Sequence, residues 1–191
     1  NLLARFPQYP HPKQTQYPKL NLAFVGSEAC AKCHAAEHAR WAESKHAHAY
    51  EALEKVAKRP ALRQYDGECA VCHSVGLGYQ TGFRNEAATA HLKHVGCEAC
   101  HGPGAGHAAD AKDKTLLALQ SPWRDEKNPG DRLPAAATME KIGKLPADQR
   151  GTVALTAAEK RAVAGVTAMC ASCHDQDNDP NFDLFTYWPK V

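Results

Sequence analysis

Every cysteine in the chain belongs to a pair with two residues between, and a histidine follows the second cysteine each time. The eight cysteines fall in Cys30-Ala-Lys-Cys33-His34, Cys69-Ala-Val-Cys72-His73, Cys97-Glu-Ala-Cys100-His101 and Cys170-Ala-Ser-Cys173-His174. A disulfide framework, or two zinc sites of four thiolates each, would use eight cysteines without demanding a histidine at one fixed position four times. Covalent haem attachment does demand it. Two thiols add across the vinyl groups, and the adjacent histidine meets the iron as proximal ligand. The pattern therefore implies four haem c groups, with Cys30, Cys33, His34, Cys69, Cys72, His73, Cys97, Cys100, His101, Cys170, Cys173 and His174 as the attaching residues.

Composition agrees with a chain organised by cofactors. Hydrophobic residues make up 43% of the 191, but with only five Phe and three Trp a large core is hard to build from side chains alone. Four macrocycles would supply the missing apolar volume, so the apoprotein is expected to be largely unfolded. The formal charge of +2 omits the haems. Two propionates and an iron per haem bring the holoprotein to about −2 oxidised and about −6 reduced, so the basic pI is no argument for nucleic-acid binding.

Four irons need eight axial ligands if each is six-coordinate. Beyond the four motif histidines, the other seven of the eleven are His11, His38, His46, His48, His91, His94 and His107. Methionine is the rival ligand and would raise the potential, but only Met139 and Met169 exist and Met169 abuts Cys170. Bis-histidine ligation at most irons, with low potentials, is the expectation. His38 shares a helix face with His34 and cannot swing to the far side of the same macrocycle, which suits a propionate partner or a surface position better. His46 and His48 lie about 200° apart around a helix, so one is expected to ligate and the other to stand by.

Along the chain, residues 1–25 carry Pro7, Pro10, Pro12 and Pro18 with little periodicity and read as an extended arm. Residues 26–191 read as the cytochrome domain. An Ala-, Glu- and Lys-rich run from Ser27 to Arg59, stopped by Pro60, predicts a helix carrying the first motif near its start. Gly76-Leu77-Gly78 and Gly102-Pro103-Gly104 predict tight loops around porphyrin edges. Residues 110–150 read as a surface excursion with short helical pieces. Thr156-Ala-Ala-Glu159 is a capping box, which places the fourth motif at the end of a helix. Strand signals are almost absent, so the predicted class is mostly α, with long loops. Asp175-Gln-Asp177-Asn-Asp179 imitates the start of a calcium loop, but Pro180 and Thr186 stand where that loop wants glycine and glutamate, and a turn is the expected role.

The first motif followed by Trp41-Ala-Glu-Ser-Lys-His46-Ala resembles the opening of the cytochrome c-554 family. So do Glu68 to His73 with the trailing Gly76-Leu77-Gly78, and the segment Val95 to His107. The likeness covers residues 26–110 well and 156–188 more loosely. It implies a mostly helical tetrahaem electron carrier with haems in close pairs, and its best-known member accepts electrons from hydroxylamine oxidoreductase. It also implies that His107 serves the first haem and His46 a later one, the fourth. Two departures stand out. That member leaves its second haem open, whereas His91 and His94 lie between the second and third motifs here and either could close it. It also has histidines well past its fourth motif, whereas none follows His174, which leaves His11 as the substitute ligand for the third haem. His11 could act within the chain or on a neighbouring subunit, and the second option resembles the subunit exchange of extracellular cytochrome filaments.

The expected function is thus electron transfer to redox partners or identical neighbouring subunits, as monomer or homopolymer, with no catalytic constellation in view. The rival is an enzyme acting on a small nitrogen or sulfur compound at one five-coordinate haem. No apolar run of 18 residues and no secretory signal is present. Because c-type haem is attached outside the cytoplasm in bacteria and archaea, a removed leader and a periplasmic or extracellular location are expected.

Overall fold

The computed structural model describes residues 3–56, 62–124 and 127–191, without the side chains of Ala4 and Val56. It is mostly helical, as its composition predicts. Among the described residues, strand is limited to two isolated bridges, Tyr9 with Tyr79 and Ser74 with Lys93. None of the described helices is long and apolar enough to cross a membrane. The chain divides into two compact units, Asn1–Ser121 and Pro122–Val191.

The first unit is a succession of short helices: α1 Pro12–Gln16, α2 Ser27–Ala31, α3 Ala35–Ala42, α4 Ala49–Glu51, α5 Gly67–His73, α6 Glu86–Thr89, α7 Cys97–His101, α8 Ala105–Ala109 and α9 Lys114–Leu119. Several start where a short polar side chain takes the orphan N–H groups of a first turn. Asp66 accepts from Glu68 N, Asn85 from Ala88 N, and Asp113 from Thr115 N and Leu116 N. Helices this brief are marginal alone and depend on what they pack against. Here Leu3, Phe24, Tyr50, Leu53, Ala70, Val75, Leu77, Phe83 and Leu92 form one cluster. The buried Tyr50 hydroxyl is satisfied by Gln64 O at 2.7 Å.

Two predicted elements take different forms. The run from Ser27 is broken into α2, α3, a 3-10 turn at Lys45–His48, and α4 running on into a π-turn at Ala52–Val56. The breaks fall at His34 (φ −115°, ψ 49°) and at Ser44 (φ −81°, ψ 160°). Arg59 and Pro60 lie outside the described residues. The proline-rich N-terminal segment is folded in rather than extended. Leu3, Leu22 and Phe24 are buried, and His11 opens α1 in a capping box with Gln14.

The second unit holds α10 Ala136–Lys144, α11 Ala157–Cys170 and α12 Leu184–Tyr187. Thr156 and Glu159 form the capping box that starts α11, and the helix runs straight into Cys170. Part of the stretch read as a surface excursion supplies core instead. Met139 and Ile142, three apart on one face of α10, are fully buried, and Met139 packs in a cluster with Val166 and Leu184.

Candidate haem-binding sites

Each Cys-x-x-Cys-His segment lies on a helical turn or straddles one. Cys30 lies in α2 and His34 is the residue before α3; the second and third motifs fill α5 and α7; the fourth begins at the last residue of α11. A turn of helix brings the two cysteines and the histidine toward one side, as attachment to a single macrocycle requires.

The decisive local geometry is at the histidine Nδ1 atoms. His73 Nδ1 lies 2.6 Å from Ala49 O, His101 Nδ1 2.8 Å from Gln120 O, and His174 Nδ1 2.8 Å from Asp179 Oδ2. Carbonyl and carboxylate oxygens only accept, so these imidazoles carry their proton on Nδ1 and, when neutral, the lone pair on Nε2. That is the tautomer a metal-ligating histidine holds, with its other nitrogen anchored by an acceptor. Burial also pushes His101 below the usual imidazole range, favouring the neutral form. Asp179 is held below the usual carboxylate range, first by the bond from His174.

The remaining histidines separate by the same test. The rings of His34 and His107 stand 6.3 Å apart, centroid to centroid, at 35°. Two imidazoles binding one metal from opposite sides, at about 2 Å per bond and with each centroid about 1.1 Å behind its nitrogen, would stand about 6 Å apart. His107 Nδ1 is buried without a hydrogen-bond partner. His11 and His94 are polarised the other way. His11 Nδ1 accepts from Lys13 N at 3.1 Å and His94 Nδ1 from Tyr50 N at 3.2 Å, which puts the proton of the neutral ring on Nε2. Burial, with Lys13 adding to it, lowers His11 to about 4, and burial lowers His94.

His11 packs edge-on against Tyr79 and Phe24. His94 adopts a left-handed backbone (φ 70°) beside the second motif, where Val75 N donates to Leu92 O. His91 instead abuts Gly26, whose added Cβ would meet His91 O at 2.8 Å; with φ +84° there, only glycine fits. His48 Nδ1 lies 3.4 Å from Glu51 on an exposed turn, and His38 Nε2 lies 3.3 Å from Glu28 Oε1. Beside His46, Trp41 Nε1 donates to Val95 O and Val95 N to His46 O, tying the Trp41–His46 segment to the third motif.

The first and third motifs are neighbours. Cys97 N donates to Ser27 Oγ in α2 at 3.1 Å, and the two thiols interact so that Cys97 is drawn below its ordinary range while Cys30 is held above it. Between Cys97 and Cys100 sits Glu98, which is buried. Its carboxylate accepts from Val25 N, Gly26 N (2.7 Å) and Gly104 N (2.7 Å). Burial raises its pKa against these bonds. Gly26 precedes α2 and Gly104 precedes α8, so one carboxylate fixes the start of the helix bearing Cys30 and of the helix bearing His107. Sequence reasoning passed over Glu98 because any residue is allowed between the cysteines. It passed over the Asp179 partner of His174 because the acidic run read only as a turn. That turn is present, with Asp175 Oδ1 accepting from Asp177 N and Asn178 N.

The residues fit a c-type haem. Three of the four motif histidines have their tautomer set by an Nδ1 acceptor, and Val71, between Cys69 and Cys72, stands half exposed. Helical thiol pairs with a metal-ready histidine, on a fold with almost no strand among the described residues, are the arrangement that covalent haem attachment requires. Residues 29–102 match the family model described as cytochrome c554 and c-prime. The chain is 34% identical over 97 residues to cytochrome c-554 of Nitrosomonas europaea, a match covering 46% of this chain and 41% of that relative. Over that segment the chain is similar to the cytochrome c-554 family, and it spans less than half the length of the curated relative it matches. No solved structure matches it significantly.

Proposed function

We propose that the protein is a tetrahaem electron carrier working outside the cytoplasm, with one haem at each Cys-x-x-Cys-His motif and His34, His73, His101 and His174 as proximal ligands. Bound haem supplies a one-electron ferric–ferrous couple at each iron. The protein holds the ligands in place, so that oxidation state changes without a change of geometry. The observation that carries this reading is the His34–His107 pair, whose rings stand 6.3 Å apart at 35° with His107 Nδ1 buried and unpartnered, an arrangement that suits two imidazoles on one metal. It supports His107 as distal ligand of the first haem, through its buried Nδ1. The hydrogen bond from Cys97 N to Ser27 Oγ, which ties the third motif to the helix bearing Cys30, supports a first and third haem within short electron-transfer range. His46 remains a further distal ligand on the strength of the motif resemblance.

A second reading has its own observation. With Nδ1 of His94 accepting from Tyr50 N, its Nε2 bears the proton and does not offer a lone pair. That favours an open sixth position at the second haem, where a small nitrogen or sulfur compound could bind. His11, capping α1 and wedged against Tyr79, favours a role within its own unit over donation to a neighbouring subunit in a filament. Haem content by mass spectrometry, followed by carbon monoxide titration of the reduced protein, tests both readings. Four haems with no binding supports the pure carrier, four haems with one equivalent bound supports the open second haem, and fewer than four overturns the tetrahaem assignment.

A further inference from the structure

Three proximal histidines have a visible Nδ1 acceptor, and one differs in kind. His73 and His101 donate to neutral backbone carbonyls, at Ala49 and Gln120. His174 donates to a carboxylate, Asp179 Oδ2, at 2.8 Å. A full negative charge draws the imidazole proton more strongly than a carbonyl dipole does, and the ring becomes a more basic, more strongly donating ligand.

The pair is built in on several sides. Asp179 N donates to Asp175 O at 2.8 Å, and Asp179 Oδ1 accepts from the Tyr187 hydroxyl at 3.2 Å. Phe182 stacks on the His174 ring, with centroids 4.9 Å apart and planes at 22°, while Tyr187 meets it edge-on at 5.6 Å. The carboxylate thus sits at a fixed place in a Tyr187–Asp179–His174 relay closed by the α12 segment. A salt bridge between mobile surface side chains would not be aimed this way.

We infer that Asp179 is a positioning residue that lowers the reduction potential of the fourth haem, so that this haem holds its electron less tightly than a carbonyl-anchored histidine would make it. The inference rests on the proposal that His174 ligates a haem at Cys170 and Cys173. A stronger donor stabilises the ferric iron, and hydrogen bonding to a ligand is one of the levers a protein has on haem potential. The relay gives two opposite handles. Asp179→Asn keeps an oxygen acceptor for Nδ1 but removes the charge, and so weakens donation. Tyr187→Phe removes a hydrogen bond from the carboxylate, leaves more of its charge to His174, and so strengthens donation.

Spectroelectrochemical titration of the haem-loaded full chain tests this. In Asp179→Asn, one of the four midpoints rises by a tenfold change in the ferric-to-ferrous ratio, 59 mV for a one-electron couple, with the other three unmoved. In Tyr187→Phe the same midpoint moves the other way. An unchanged midpoint in Asp179→Asn with four haems attached overturns the inference alone, and so do shifts of the same sign in both variants, the mark of a merely structural role. Absence of haem at Cys170 and Cys173 by peptide mass spectrometry overturns the underlying assignment, and the inference with it.

Discussion

Which nitrogen of an imidazole carries the proton divides the histidines of this chain more sharply than their number or spacing does. His73, His101 and His174 give their Nδ1 proton to an acceptor; His11 and His94 receive one there. No sequence pattern announces this, because for His73, His94 and His101 the partners are backbone groups distant in the chain, such as Gln120 O for His101. For His107→Ala, one haem equivalent is expected to change from low-spin to high-spin in the ferric absorption spectrum, with the other three unchanged. Glu98 acts through others. Replacement by Ala leaves the Val25, Gly26 and Gly104 N–H groups without their acceptor, and the holoprotein is expected to lose about 2–4 kcal/mol in guanidinium unfolding.

At the scale of elements, the caps were legible and the interruptions were not. Thr156 and Glu159 form the box that the sequence announces, and Thr156→Ala is expected to cost about 1 kcal/mol, read from thermal unfolding. The Ala-rich run after Ser27 looks continuous because helix propensity is a local property. Its breaks at His34 and Ser44 answer to tertiary partners instead, among them the Trp41 and His46 contacts with Val95. The burial of α10 was missed for a related reason. Prolines and charges on either side, Pro134 and Pro146 among them, made the whole stretch read as surface, while Met139 and Ile142 alone mark the inward face. Spacing alone singles out the residues proposed to attach haem, because covalent chemistry fixes that spacing. It offers their proposed distal partners only as a pool of seven histidines.

For the whole molecule, the two units each have their own apolar cluster and their own motifs, three in Asn1–Ser121 and one in Pro122–Val191. Replacing both Cys170 and Cys173 with Ala is therefore expected to remove one haem by mass while the three of the first unit keep their ferric spectrum. The mostly helical class was evident from composition and from the lack of strand patterning. The division at Ser121 was not, since no glycine- or serine-rich linker marks it.

The Glu98 tether also has a meaning in time. Its carboxylate and Gly26 are separated by 72 positions along the chain. During synthesis the first motif emerges long before the residue that will fasten the start of its helix. Once Glu98 arrives, a single carboxylate ties the start of α2 to the start of α8.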